Sequence, residues 1–139
     1  MELNMPLVFR VMKKDPDDLP TVRSTSLGIR PGIDVDLDPQ NNVVVNGKGM
    51  SAVPNWRDIN VLRLPKRLRS ILPGADGSNN TFCFRTGDGT FAKGAFANGL
   101  TLEPDSAVHG NIAPAQSANV TTYESDIAAT RPDWQVDET

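Results

Sequence analysis

The sequence predicts an α+β domain of short strands and brief helices, and three observations carry that prediction. Eleven Pro and eleven Gly are spread along 139 residues rather than gathered in one linker, which leaves little room for long helices. Apolar residues recur in short runs or with period two, the mark of strands, and only two stretches show helical spacing. No G-x-G-x-x-G follows a strand and opens a helix, so the rhythm of a Rossmann unit is missing. This length predicts a single domain over residues 1–139.

Taken in order, Pro6 to Met12 is apolar enough for a buried first strand, with Arg10 set inside it, and it stops at the polar turn Lys13–Asp18. After a turn at Gly28–Gly32, residues Ile33 to Asp38 alternate apolar and acidic, which predicts a strand with one wet face. Val43–Val45 predicts another short strand, and Gly47–Ser51 a glycine-flanked loop. Leu64, Leu68, Ile71 and Leu72 share one face of a short helix, with Pro65 in its first turn and Pro73-Gly74 as its stop. Thr81–Arg85 alternates as a strand, Phe91 to Leu102 supplies further β segments, and Val108–Pro114 predicts another strand. Thr121 and Glu124 have capping-box spacing, and Val120, Tyr123 and Ile127 share a face, which predicts a second helix closed by Thr130-Arg131-Pro132.

Composition excludes several classes. Hydrophobic residues are 38% of the chain, an ordinary globular share that argues against a disordered or fibrous chain. A net charge of −3 gives no global pull toward nucleic acid or an anionic membrane. No apolar run approaches a membrane span, and Met1–Arg10 does not read as a secretory leader, so a cytoplasmic site of action is expected. Cys83 is alone, which forbids an internal disulfide, and one His with one Cys is too few for a His/Cys zinc site.

A few side chains stand out as candidates for chemistry. Arg10 lies in an apolar strand, where a guanidinium needs an anion, an acidic partner or a set of carbonyl oxygens. Its planar fork suits a phosphate or carboxylate at the floor of a cleft, and a structural pair with an Asp is the plainer reading. Gly47, Gly49 and Ser51 form a loop in which a backbone can approach a ligand and a hydroxyl can orient it, although Asn46-Gly47 is also an ordinary turn. His109 is the only histidine, and no Ser-His-Asp order is argued from it. Glu103 and Asp105 flank Pro104 and are expected in a turn. Arg57, Arg63, Lys66, Arg67 and Arg69 face a single acid, Asp58, which predicts a solvated face or a partner dock away from any cleft. Trp56 and Trp134 are expected in the core or in a lid.

In sequence order these pieces resemble the small ADP-ribosyltransferase-like effectors exported by type VI secretion. The matching segments are Phe9-Arg10, Arg30-Pro-Gly-Ile-Asp34-Val35, Gly49-Met50-Ser51-Ala52-Val53 and His109-Gly-Asn-Ile112-Ala-Pro114-Ala115. The resemblance spans residues 7 to about 127. It implies two small antiparallel sheets forming a cleft for NAD as substrate. It implies Arg10, Ser51 and His109 as catalytic residues, and Arg10, Arg30, Gly49 and Ser51 as NAD-binding residues. It also implies a toxin acting in the cytoplasm of a target bacterium, inhibited by a cognate immunity protein. The sequence departs from the cholera-like members of the fold in having no Glu-x-Glu, so transferase activity, NAD glycohydrolysis and bare NAD binding all stay open. A neutral imidazole at His109 can accept a hydrogen bond from a ribose hydroxyl but brings no negative charge. The competing reading is a non-enzymatic interaction protein that keeps the fold; a nucleic-acid module on Arg57–Arg69 would bind with steep salt dependence.

Overall fold

A computed structural model describes residues 5–139. The reading of the N-terminus as leaderless rests partly on residues 1–4, which lie outside the described residues. Two antiparallel sheets make the α+β architecture. One has three strands in the order β1–β3–β7: β1 (Val8–Lys13), β3 (Thr81–Thr86) and β7 (Gln135–Val136). The other has four in the order β2–β6–β5–β4: β2 (Met50–Ala52), β6 (His109–Pro114), β5 (Leu100–Ser106) and β4 (Gly94–Ala97). One α-helix, α1 (Val120–Ala129), and three short 3₁₀ turns at Trp56–Asp58, Lys66–Ser70 and Arg131–Asp133 complete the elements.

The strand β1 is buried on both faces, and this is why its sequence runs almost unbroken in apolar residues. Val8 and Met12 join the larger core with Phe84, Leu102, Ile112, Tyr123 and Trp134. Phe9 and Val11 point the other way, into a smaller core with Trp56, Leu64, Leu68 and Cys83. Period two therefore puts Arg10 on the same side as Val8 and Met12. The two sheets touch at Phe9 and Val53, which exchange both backbone hydrogen bonds, at 2.7 and 3.0 Å. Beside that junction lies a cleft lined by Arg10 and Val11 of β1 and by Ser51 and Ala52 of β2.

The helix α1 locks the second sheet. Asn119, rather than the Thr121–Glu124 pair, caps it by accepting from the Thr121 backbone N–H. Tyr123 is buried; its hydroxyl donates to the Ile112 carbonyl at 2.5 Å and accepts from the Met50 N–H at 3.2 Å. One side chain thus pins β2 to β6, and burial pushes its phenol well above the ordinary tyrosine range.

Several expectations are corrected. Residues 33–38 and 43–45 form no strand ladder; Val35, Leu37 and Val43 make only single bridges, and the segment is held as a loop by Asp36 with Lys48 and Asn46. The loop expected at Met50-Ser51 is instead the strand β2, too short for periodicity to reveal. The helix expected around Leu64–Leu72 tightens to a 3₁₀ turn over Lys66–Ser70. Glu103 and Asp105 lie in β5, not in a turn. Trp56 and Trp134 are core residues, each 1% exposed. No helix among the described residues is long and apolar enough to cross a membrane.

Candidate active site

The floor of the cleft is Arg10. It is 8% exposed, and the groups that meet it are backbone oxygens: Nε donates to the Ser26 carbonyl at 2.7 Å and Nη1 to the Ser51 carbonyl at 2.8 Å. Neither an aspartate nor a glutamate among the described residues forms an ion pair with it, and Nη2 has no acceptor among them. Burial draws the guanidinium down to about 10, and nearby Arg63 pulls in the same direction while Asp34 opposes it. A buried cation held by carbonyls alone, beside the second cation Arg63, leaves positive charge at the floor of the cleft that Asp34 offsets only in part.

Two cavities of about 270 Å³ each meet over this residue. Both are lined by Arg10, Ser51 and Arg63; the first adds Asp58 and His109, the second Arg30 and Asp34. Arg30 grips Asp34 in a forked pair, Nη2 to Oδ1 at 2.9 Å and Nε to Oδ2 at 3.3 Å. Burial raises the Asp34 carboxyl, but its bonds to the Arg30 side chain and backbone outweigh that and hold it below the usual range. Arg63 is exposed and has no ion-pair partner among the described residues. The expectation that the Arg57–Arg69 run stands clear of the cleft is therefore corrected at Arg63. Two of its other arginines are structural ties, Arg67 to Glu138 and Arg69 to Asp76, while Arg57 lies over the Trp56 ring.

Opposite Arg10, the hydroxyl of Ser51 lies 2.6 Å from His109 Nε2. Ser51 pairs with Asn111 across the β2–β6 ladder, and His109 stands two residues before Asn111, so the two side chains are diagonal neighbours on one face. His109 Nδ1 in turn lies 2.8 and 2.9 Å from the carboxylate oxygens of Asp105. The register supplies the reason. Pro104 opposes Gly110 and Ser106 opposes His109, which leaves Asp105 as the extra residue of a β-bulge. Bulges re-aim side chains, and this one turns Asp105 onto the imidazole. A Ser–His–Asp array is thus present, contrary to the reading that a lone histidine argues for none.

Gly49 does not line either cavity. Its place is tighter: a Cβ there would sit 2.2 Å from the Ile112 carbonyl oxygen, so only glycine lets the chain enter β2 against β6. The structure accordingly brings Arg10, Ser51 and His109 to one cleft, sets Arg30 at its second chamber and puts Gly49 at the entry to the strand that carries Ser51. Asp105 and Arg63 escaped the sequence reading. The signal for Asp105 was Pro104 inside a strand, since proline in a sheet marks an edge or a bulge; Arg63 had none, because a charge run does not say which member turns inward. Cys83 lies in β3, buried in the smaller core, and its thiol is pushed up to about 12, so it offers no nucleophile. Among the described residues no cluster of His, Cys, Asp and Glu could hold a metal ion. No protein-family model, curated protein or solved structure matches the chain.

Proposed function

We propose that the chain is an NAD-using, ADP-ribosyltransferase-like enzyme that breaks the bond between nicotinamide and ribose. The observation that carries this reading is Arg10, a buried guanidinium with backbone partners only, at the meeting of two chambers that share Arg63 and Ser51. Such a floor suits a pyrophosphate, with the two halves of a dinucleotide running into either chamber. In this reading Arg10 and Arg63 hold the phosphates, and Arg30 borders the second chamber. Ser51 and His109 face the ribose, where positive charge develops as the glycosidic bond breaks. Delivery by type VI secretion, toxicity in the cytoplasm of a target bacterium and restraint by an immunity protein are further parts of the proposal, and they rest on the resemblance of the Arg30, Gly49 and His109 segments.

Calorimetric titration with NAD, followed by measurement of released nicotinamide, tests this reading. One NAD per chain and steady nicotinamide release are expected. NAD binding without any release would favour the second reading, a non-enzymatic interaction protein. That reading has its own support in the absence of Glu-x-Glu.

A further inference from the structure

The missing glutamate leaves a gap in the proposed chemistry, because a neutral imidazole brings no negative charge to a ribose that becomes positive. We propose that Asp105 is a positioning residue that fills this gap through His109; the inference rests on the NAD reading for its chemistry but not for its geometry. A carboxylate accepts and does not donate, so whenever the ring is neutral Asp105 holds its proton on Nδ1. The Nε2 lone pair is then turned toward Ser51 and accepts the hydroxyl proton at 2.6 Å. The Ser51 oxygen keeps its own lone pairs toward the cleft, with its proton drawn away from it.

The relay suits hydrolysis of the glycosidic bond. The C–N bond breaks and its electron pair leaves on the nicotinamide nitrogen, which becomes neutral. Water oxygen forms the new bond to the ribose carbon. One proton of that water passes to Ser51 as the Ser51 proton moves to His109 Nε2, and the imidazolium formed faces the Asp105 carboxylate before it returns the proton to solvent. The sum is NAD and water to ADP-ribose, nicotinamide and one proton. The Asp105 side chain is 55% exposed and that of His109 39%, so solvent screens the pair and the effect is smaller than in a buried triad. The β-bulge at Asp105 is set by the β5–β6 register, which makes the device testable on the free protein.

His109 is the only histidine, so its ring nitrogens give unambiguous ¹⁵N resonances in uniformly labelled protein. At a pH where the ring is neutral, Nδ1 is expected to carry the proton in the wild type. Asp105→Asn is expected to shift the ring toward the Nε2–H tautomer, because the amide can turn its NH₂ to the ring. In nicotinamide release, Asp105→Asn should lower kcat about 10- to 100-fold while KM stays within about threefold, and Asp105→Glu should recover part of the loss. A wild-type ring protonated at Nε2 would overturn the proposal, as would an Asp105→Asn enzyme with undiminished kcat. Should the wild type release no nicotinamide, the NAD reading fails, and the tautomer in wild type and Asp105→Asn still decides the positioning role.

Discussion

Two groups of arginines in this small domain have opposite surroundings. Arg67, Arg69 and Arg131 each reach a carboxylate and at least one backbone carbonyl: Arg67 holds Glu138 with the Asn79 and Thr81 carbonyls, Arg69 holds Asp76 with Ala75, and Arg131 holds Asp15 and Asp17 with Pro20. They tie loops and the C-terminal segment to the sheets. Arg10 and Arg63 meet at a cleft and find no carboxylate of their own. Charge density along the chain does not separate the groups, since Arg63 and Arg67 belong to one basic run. Pairing does, and an arginine without an acid beside a cavity is where the proposed anionic ligand would complete the electrostatics.

Arg10→Ala should break the contrast most severely. Removing the fork is expected to weaken NAD binding by about 2 kcal/mol or more, roughly 30-fold. The protein should stay folded, because the cost of freeing the Ser26 and Ser51 carbonyls is about 1–2 kcal/mol. Arg10→Lys should not restore binding, as a point charge loses the two-pronged geometry. Calorimetry beside a thermal melt reads both quantities. Unfolding of both variants would make Arg10 purely structural.

Gly49→Ala tests whether Ser51 depends on the close approach of β2 to β6. A Cβ cannot stand 2.2 Å from a carbonyl oxygen, so the strand must shift, at a cost of about 1–3 kcal/mol. Nicotinamide release should fall more than NAD affinity. An unchanged turnover would show that Ser51 need not sit where β2 puts it.

The paired substitutions Arg63→Gln and Arg67→Ala sharpen the contrast within one segment. Arg63→Gln should weaken NAD binding several-fold with little change in melting temperature. Arg67→Ala should do the reverse, costing about 1 kcal/mol by leaving Glu138 with only the Cys83 N–H, and leaving NAD affinity alone. Equal effects of the two on affinity would dissolve the distinction.

The smallest effect is a shift in pH dependence. Burial lowers the Arg10 pKa to about 10, and loss of its proton would remove the charge that the proposed phosphates need. NAD affinity should therefore decline as pH rises through about 10. Arg63 lowers the pKa of Arg10 by repulsion, so Arg63→Gln should move that decline to higher pH. Titrations over this range in both proteins check the sign.

The strands β1, β3 and β6 and the helix α1 were legible because each carries its own signal: an apolar run, an alternation, a stripe of Val120, Tyr123 and Ile127. The segment Ile33–Asp38 alternates as cleanly, yet it lacks a neighbouring strand to pair with and remains a loop. The three residues of β2 show nothing locally; Tyr123, more than 70 residues away, fixes them. Arg10 was visible as a charge among hydrophobes, and Ser51 and His109 as motif positions. Their hydrogen bond depends on strand register, which no spacing in the sequence encodes, and the link to Asp105 on a bulge whose one trace in the sequence is Pro104.

The cleft is most directly tested by calorimetric titration of NAD into the wild type, Arg10→Ala and Arg67→Ala under one buffer and salt condition. Saturable one-to-one binding by the wild type and by Arg67→Ala, with affinity lower by about 30-fold or more for folded Arg10→Ala, is the expected result. Absence of binding in the wild type, or equal binding by all three proteins, would contradict the assignment of Arg10 as the floor of an NAD site.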